Sequence, residues 1–217
     1  MDKLNDNLKK YIEEKIIPTY DTFDHGHDSR HAKAVISRSL EIAQFLNDPS
    51  VDINMVYTAA AFHDMGMTIA RKGHAKFSYD CVIQDENLKK YFDNDEIITI
   101  AQACADHSTS TGRVPRSIYG KIVSDADKDN DISISLMRAW DFSIFNFPQY
   151  SLSQHLDGIH EQIQKRFGEN GSVKFYLPAP KSQEFLKQMQ TFAVNKELFE
   201  KVMKEILEKE KQIEKED

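Results

Sequence analysis

Cysteine, proline and glycine are all scarce in this chain of 217 residues, which has two cysteines, six prolines and eight glycines. The two cysteines, Cys81 and Cys104, cannot form a disulfide framework or a four-cysteine zinc site. The sequence also lacks an apolar run of the roughly 20 residues that a transmembrane helix needs, and its first residues lack the pattern of a signal peptide. We therefore expect a cytoplasmic protein with no membrane partner.

Positive charge is also in deficit, because 28 Lys and Arg face 35 Asp and Glu and leave a net charge of −7. A protein that binds nucleic acid needs a basic surface, so we expect no nucleic-acid partner. The P-loop, the Gly-x-Gly-x-x-Gly fingerprint, the Gly-x-Ser-x-Gly elbow and the His-Glu-x-x-His motif are absent as well. The chemistries that depend on these motifs therefore fit poorly.

Apolar residues recur at helical spacing between the few prolines and glycines, and no segment keeps an alternation of period two. The pattern predicts an all-α fold in a single domain, with helices over 4–16, 29–46, 53–64, 74–84, 97–107, 117–128, 153–167, 181–192 and 196–211. Residues 168–180 are expected to form a loop or a short hairpin. The aromatic stretch 140–147 has an irregular pattern, and we expect its aromatic side chains to lie in the core.

Histidine, in contrast, occurs eight times, and three segments place it or aspartate on predicted helices. His31 lies on the second helix, the pair His63-Asp64 ends the third, and Asp127 ends the sixth. Imidazole nitrogens and carboxylate oxygens are the ligands that divalent transition metals take when thiolates are absent. A single histidine is more often structural, but the combination of these four residues at helix positions predicts a metal site.

The four residues resemble the pattern of the HD-domain superfamily of metal-dependent phosphohydrolases, in which a His, a His-Asp pair and a distant Asp lie on an all-α bundle. His31 stands in a His-Asp-x-x-His setting that many members share. The resemblance implies that His31, His63, Asp64 and Asp127 bind a divalent metal ion. It also implies a single HD-type helical bundle over 1–217, with the metal-site core over about 20–130. The C-terminal helical extension, over about 131–217, resembles that of small uncharacterised bacterial members.

Two departures from the family pattern concern residues beside the ligands. Ala34-Val35 stands where many members have Arg-Val, and Lys128 follows Asp127 where many have Arg. The four ligands themselves are intact. The departures therefore affect the expected substrate contacts and not the expected metal site.

Two further histidines precede Asp127 in the sequence, since His74 begins the fourth predicted helix and His107 ends the fifth. In some HD-type phosphohydrolases, histidines from these two helices hold a second metal or face the phosphate. By that resemblance, Asp64 bridges two ions and His74 and His107 bind the second one. The alternative is that both histidines merely begin and end their helices.

The remaining histidines have weaker contexts. His27 lies one turn before His31 on the same face, where it either orients the site or caps the helix. His25 is expected in a loop. His155 and His160 are five residues apart on a helix, which is poor geometry for chelation, so surface or packing roles are expected for both.

The resemblance implies a phosphomonoesterase or phosphodiesterase that cleaves a small phosphorylated substrate, a nucleotide in particular, with a metal-activated water. Mn, Fe, Co, Ni, Zn or Mg would suit the ligands. The resemblance implies one metal site, and a second one at His74 and His107. Asp64 would orient the water, and His107 or Asp106 would donate a proton to the leaving oxygen. Lys128 is the best placed cation for the phosphate, and other lysines and arginines near the ligands are further candidates.

Two other functions fit the same residues. An HD-type nucleotide-sensing or nucleotide-binding module would bind metal and nucleotide with little or no turnover. A helical adaptor would use residues 140–147 as a contact surface and would contain no metal. The substrate, the choice of metal and the oligomeric state are not specified by the sequence.

Overall fold

The computed structural model describes residues 3–23, 26–108 and 113–216, so His25 lies outside the described residues. Within these ranges the protein contains no strand, which confirms the predicted all-α fold. The helices are α1 (Asp6–Tyr11), α2 (Ser29–Leu46), α3 (Ile53–Phe62), α4 (His74–Gln84), α5 (Asn94–Asp106), α6 (Ile118–Asp127), α7 (Ile132–Asn146), α8 (Leu152–Phe167), α9 (Pro180–Val194) and α10 (Lys196–Glu216). Among the described residues, no helix combines the length and the hydropathy that a membrane crossing demands.

Helices α2 to α6 begin close to the predicted positions because local signals fix their first turns. Asp28, Asp52 and Asp93 accept hydrogen bonds from backbone N–H groups at the starts of α2, α3 and α5, and Ser117 does so for α6. Such caps satisfy donors that have no partner within the helix. Helix α4 has no side-chain cap and instead follows Gly73, whose φ of 83° is easily adopted only by glycine.

Two segments differ from the predicted pattern. The first predicted helix becomes α1, a π-helical turn over Ile12–Ile16 and a 3-10 segment over Ile17–Thr22, which passes Pro18. Proline is tolerated there because it stands in the first turn, where its missing N–H costs no hydrogen bond. The aromatic stretch belongs to α7, which is capped by Asp131. Residues 168–179 form a loop. A loop is one of the two structures that the sequence predicts for residues 168–180, and the other is a short hairpin.

The chain divides into two compact units, Met1–Lys128 and Asp129–Asp217. This boundary lies close to the predicted end of the metal-site core at about residue 130. A single domain over 1–217 stays a prediction.

The first unit is built around α3, which packs against α2, α5 and α6. Every residue of α3 except Asn54 is buried, because neighbouring helices surround it and leave it no solvent-facing stripe. Helix α2 also packs against α6, and α4 packs against α5. The buried α3 therefore delivers the residues that follow it, His63 and Asp64, into the middle of the unit.

In the second unit, α8 packs against α7 and α9, and α10 contacts all three of these helices. Two histidines have packing roles there, as expected. The Nδ1 atom of His155 lies 2.7 Å from the Ser143 hydroxyl, and Nε2 of buried His160 donates to the Phe192 carbonyl at 2.9 Å.

The expectation that the aromatic stretch lies in the core is wrong for three of its rings. The side of α7 that packs inward carries Leu136, Trp140 and Ser143, at spacings of four and three residues. Phe142 and Phe145 consequently point to the other side of the helix and are exposed, and Phe147 beyond its end is exposed too.

Candidate metal centre

Helix ends carry all six residues of the predicted centre. His31 lies in the first turn of α2, His74 is the first residue of α4, and Asp127 is the last residue of α6. The pair His63-Asp64 directly follows α3, and His107 directly follows α5. A side chain at a helix end is held by the helix body while its polar atoms reach beyond the packed core.

The first set of ligand atoms comes from His31, His63, Asp64 and Asp127. The Nε2 atoms of His31 and His63 lie 3.2 Å apart. Nε2 of His63 lies 3.1 Å from Oδ2 of Asp64, and Nε2 of His31 lies 3.2 Å from Oδ1 of Asp127. Atoms of His31, His63 and Asp64 therefore form one group that could hold a metal ion, and Oδ1 of Asp127 lies beside its two imidazoles.

The second set uses the other oxygen of Asp64. Nε2 of His74 and Nε2 of His107 lie 3.1 Å and 3.4 Å from Oδ1 of Asp64, and 3.2 Å from each other. Asp64 thus presents one carboxylate oxygen to each imidazole pair. The alternative in which His74 and His107 merely begin and end helices does not account for this convergence.

The orientation of three rings is fixed by backbone carbonyls three residues earlier. Nδ1 of His63 donates to Ala60 at 2.8 Å, and Nδ1 of His107 donates to Cys104 at 2.6 Å. Both carbonyls belong to the last turn of a helix, where no backbone N–H remains to pair with them. His74 makes the corresponding bond to the Arg71 carbonyl at 2.9 Å.

These bonds also select the tautomer, because a carbonyl oxygen only accepts and Nδ1 must carry the proton. In this tautomer, a ring without a second proton presents its Nε2 lone pair to the centre. Metal-bound histidines in proteins are commonly held by such an outer hydrogen bond to a carbonyl or carboxylate.

Electrostatics of the centre favour a bound cation. Asp64 is 2% exposed, and its Oδ1 atom has no hydrogen-bond partner among the described residues. A buried carboxylate oxygen without a partner is costly, and the Nε2 lone pairs of two neutral rings 3.2 Å apart would repel each other. A divalent ion between Nε2 atoms and carboxylate oxygens removes both costs, so the residues fit a metal at each of the two positions.

The pKa values of the cluster have the same origin. Burial lowers the pKa of His63, but the negative charges of Asp64 and Asp127 outweigh it and raise that pKa to about 9. For Asp64 and Asp127 burial acts in the opposite direction and raises the pKa. The surrounding imidazoles outweigh it and hold both carboxyl pKa values well below their ordinary range. The carboxylates are therefore charged at neutral pH, and the proton that His63 keeps at that pH offsets part of their charge.

His27 lies beside both ligand sets. Its ring centroid is 5.9 Å from that of His31 and 6.3 Å from that of His74. It does not cap α2, because Asp28 accepts the hydrogen bonds from the N–H groups of Arg30 and His31. Of the two roles considered for His27, the position beside the site is the one that the geometry supports.

Lys128 and Asp106 are engaged by neighbouring residues. The Lys128 ammonium donates to the Ser124 carbonyl at 2.6 Å and lies 3.5 Å from Asp125, with 10% of its side chain exposed. Asp106 accepts hydrogen bonds from the backbone N–H and the guanidinium of Arg116. The contribution of Lys128 to phosphate binding stays a prediction.

Two residues that support the centre were missed in the sequence. The hydroxyl of Tyr20, which is fully buried, donates to the Ala61 carbonyl at 2.9 Å and accepts from the Asp64 N–H at 3.2 Å. It ties the 3-10 segment before α2 to the backbone of the His-Asp pair. No sequence signal identifies Tyr20, because a tyrosine 44 residues before Asp64 has no fixed spatial relation to that aspartate.

Gly66 is the second residue that supports the centre. Helix α3 ends at Phe62, and Gly66 lies in a 3-10 turn over Met65–Thr68. Its N–H donates to the hydroxyl of buried Ser78 at 2.9 Å. A Cβ atom at Gly66 would lie 2.0 Å from the His74 carbonyl, so only glycine allows this turn to approach α4 so closely.

Comparison with known proteins supports the assignment that the geometry suggests. Residues 29–130 match the family model of the HD domain. Among solved structures, the chain is similar to a predicted HD superfamily hydrolase from an uncultured Thermotogales bacterium, with a TM-score of 0.56 and 19% identity over 92% of this chain and 91% of that one. None of the curated proteins gives a significant match.

At this identity the solved structure supports the fold alone, and the family match carries the assignment. The chain carries an HD domain over residues 29–130, and this segment belongs to the HD-domain superfamily, a family of metal-dependent hydrolases. The resemblance first seen in His31, His63, Asp64 and Asp127 is therefore confirmed at the level of the family.

Proposed function

We propose that the protein is a phosphohydrolase with a two-ion centre that cleaves a phosphoester in a small substrate. The observation that carries this proposal is the position of Asp64, whose two carboxylate oxygens lie against separate pairs of imidazoles. Pairs of divalent ions about 3.5–4 Å apart serve phosphoester hydrolysis in many enzymes. A bridging carboxylate is the natural means to hold two ions at that spacing.

The division of ligands follows the distances. His31, His63 and Asp127 would complete the first site, and His74 and His107 would complete the second. Ions bound there would lower the pKa of a water molecule and polarise the phosphoryl group. Asp64 would orient that water, because its buried carboxylate has little freedom to turn away from the centre.

This division changes the predicted role of His107. Its Nδ1 proton is engaged by the Cys104 carbonyl and its Nε2 atom faces Asp64. Neither nitrogen is then placed to give a proton to a leaving oxygen, so we assign His107 to the second site. His27, half-buried beside both ligand sets, is our candidate for contact with the substrate.

The substrate that we propose is a small phosphorylated compound, in particular a nucleotide. A protein with a net charge of −7 does not attract an anion through a broad positive field. The phosphate would be held by the two ions and a few local cations. For Lys128 we propose a structural role in place of the predicted phosphate contact, because its ammonium caps the last turn of α6 next to Asp127.

Elemental analysis of the purified protein tests the centre directly. We expect two transition-metal ions per chain in the wild type, and near-complete loss of both in Asp64→Asn, which keeps the shape of the side chain. Asp95→Asn is the matched control, because Asp95 is exposed in the first turn of α5, and it should keep both ions. Two ions in Asp64→Asn, or none in the wild type, would contradict the proposal.

A further inference from the structure

The end of α7, the following turn and the start of α8 expose an unusual number of large apolar side chains. Phe145 is 85% exposed and Phe142 is 59% exposed, and four neighbours are between 38% and 51% exposed. We call these residues the apolar tip, and they are Phe142, Ile144, Phe145, Phe147, Tyr150 and Leu152. All six lie between residues 142 and 152, at the end of the second unit where α7 meets α8.

The apolar tip is ordered by its own contacts. The rings of Phe147 and Tyr150 stack with centroids 4.9 Å apart and planes only 9° from parallel. The Phe147 N–H donates to the Ser143 carbonyl at 2.9 Å, and the Tyr150 N–H donates to the Phe147 carbonyl at 3.0 Å. A surface that is already ordered loses little conformational entropy when a partner covers it.

The size of the apolar tip is sufficient for a specific interface between two proteins. If a whole aromatic side chain has about 200 Å², the six residues together expose about 600 Å². That value lies at the upper end of the largest apolar patch on a typical monomer, about 300–600 Å². Two copies face to face would bury about 1,200 Å², the lower end of the range for specific interfaces.

The charges around the apolar tip decide between a protein partner and a lipid surface. No Lys or Arg occurs from residue 139 to residue 164, whereas Asp141 and Glu161 do, and the charge of Asp157 is paired with Lys196. Segments that dock on anionic lipids need Lys or Arg beside the apolar side chains. The surface therefore suits another apolar protein surface and not a lipid headgroup layer.

We propose that a second copy of this chain covers the apolar tip in an isologous contact. In such a contact the same patch is used by both partners, and an ordered set of aromatic rings satisfies this condition because rings pack well against rings. Its area lies at the lower end of the specific class, so we expect a dimer that dissociates on dilution. This inference is independent of the proposed hydrolytic activity.

Sedimentation equilibrium of the full chain from low to high micromolar concentration tests the proposal. We expect the wild type to dimerise, and Phe145→Asp to weaken association at least tenfold. Val194→Asp is the matched control, because Val194 at the end of α9 is 83% exposed and lies outside the apolar tip. It should dimerise like the wild type.

Folding of both variants is checked by circular dichroism and by the fluorescence of the single tryptophan, Trp140. A wild type that stays monomeric throughout, or a Phe145→Asp variant that dimerises as well as the wild type, would overturn the proposal. A monomeric wild type that sediments with phosphatidylcholine–phosphatidylserine vesicles would overturn it as well and would assign the apolar tip to lipid.

Discussion

Replacing Gly66 with alanine should remove one metal ion and leave the other. The new Cβ atom would lie 2.0 Å from the His74 carbonyl, 2.5 Å from the Ser78 backbone nitrogen and 2.8 Å from the Phe77 carbonyl carbon. All three atoms are backbone, so no side chain can turn away to make room. Because real Cβ contacts begin at about 3.0–3.4 Å, the turn and the start of α4 must separate by about 1.0–1.4 Å.

A displacement of this size exceeds what a metal site tolerates, since ligand distances must hold to within about 0.2 Å. His74 moves with the start of α4 and leaves the second site. Asp64 stays in place because its N–H is held by Tyr20, so the first site survives. We expect one ion per chain by elemental analysis, an activity at least about 100-fold lower, and a loss of about 1–3 kcal/mol in the free energy of unfolding from overpacking.

Gly158→Ala is the matched control for this experiment. Gly158 lies within α8, and a Cβ atom there would meet nothing within 4 Å. Alanine should raise the free energy of unfolding by up to about 1 kcal/mol through helix propensity, with two ions retained. The reasoning is refuted if Gly66→Ala keeps two ions and full hydrolytic activity.

Three further predictions concern the ligands and their supports. Metal binding should release protons, because the pKa of His63 without metal is raised to about 9. Affinity should therefore tighten as pH rises towards about 9, by about tenfold per pH unit for each displaced proton. Calorimetry in buffers of different ionisation enthalpy measures this release, and binding that is independent of pH would contradict it. Tyr20→Phe leaves two buried backbone groups unpaired and should cost about 1–3 kcal/mol in urea unfolding, with metal affinity reduced about 10- to 100-fold; an unchanged affinity would remove Tyr20 from the support of the site. Lys128→Met removes the cap on Ser124 and should lower the free energy of unfolding by about 2 kcal/mol with little change in KM, whereas a large rise in KM at unchanged stability would restore Lys128 to phosphate binding.

Helix positions in the first unit could be predicted because their signals are local. Aspartate or serine caps stand before α2, α3, α5 and α6, and in α2 and α5 the apolar spacing matches one buried face. The four ligands of the first site could be predicted from the family pattern. The sequence could suggest that His74 and His107 meet Asp64, but it could not show this, because their positions depend on how α4 and α5 pack.

The supports of the centre could not be predicted from spacing. Gly66 matters through contact with the backbone of α4, and Tyr20 through bonds to Ala61 and Asp64, so both roles exist only in three dimensions. The aromatic stretch was misjudged for another reason. Burial of aromatic residues is a general tendency, whereas the exposure of Phe142 and Phe145 follows from which face of α7 meets the second core.

Phosphate release by the metal-loaded protein tests the central claim most directly. The wild type and Asp64→Asn would be incubated with Mn, Mg, Co or Ni and a panel of nucleotides and generic phosphoesters, and inorganic phosphate or the released alcohol would be measured. We predict metal-dependent hydrolysis of at least one phosphoester by the wild type and none by Asp64→Asn. A fully loaded wild type that hydrolyses nothing yet binds a nucleotide tightly would contradict the claim in favour of a binding module, and full activity in Asp64→Asn would contradict the assigned centre.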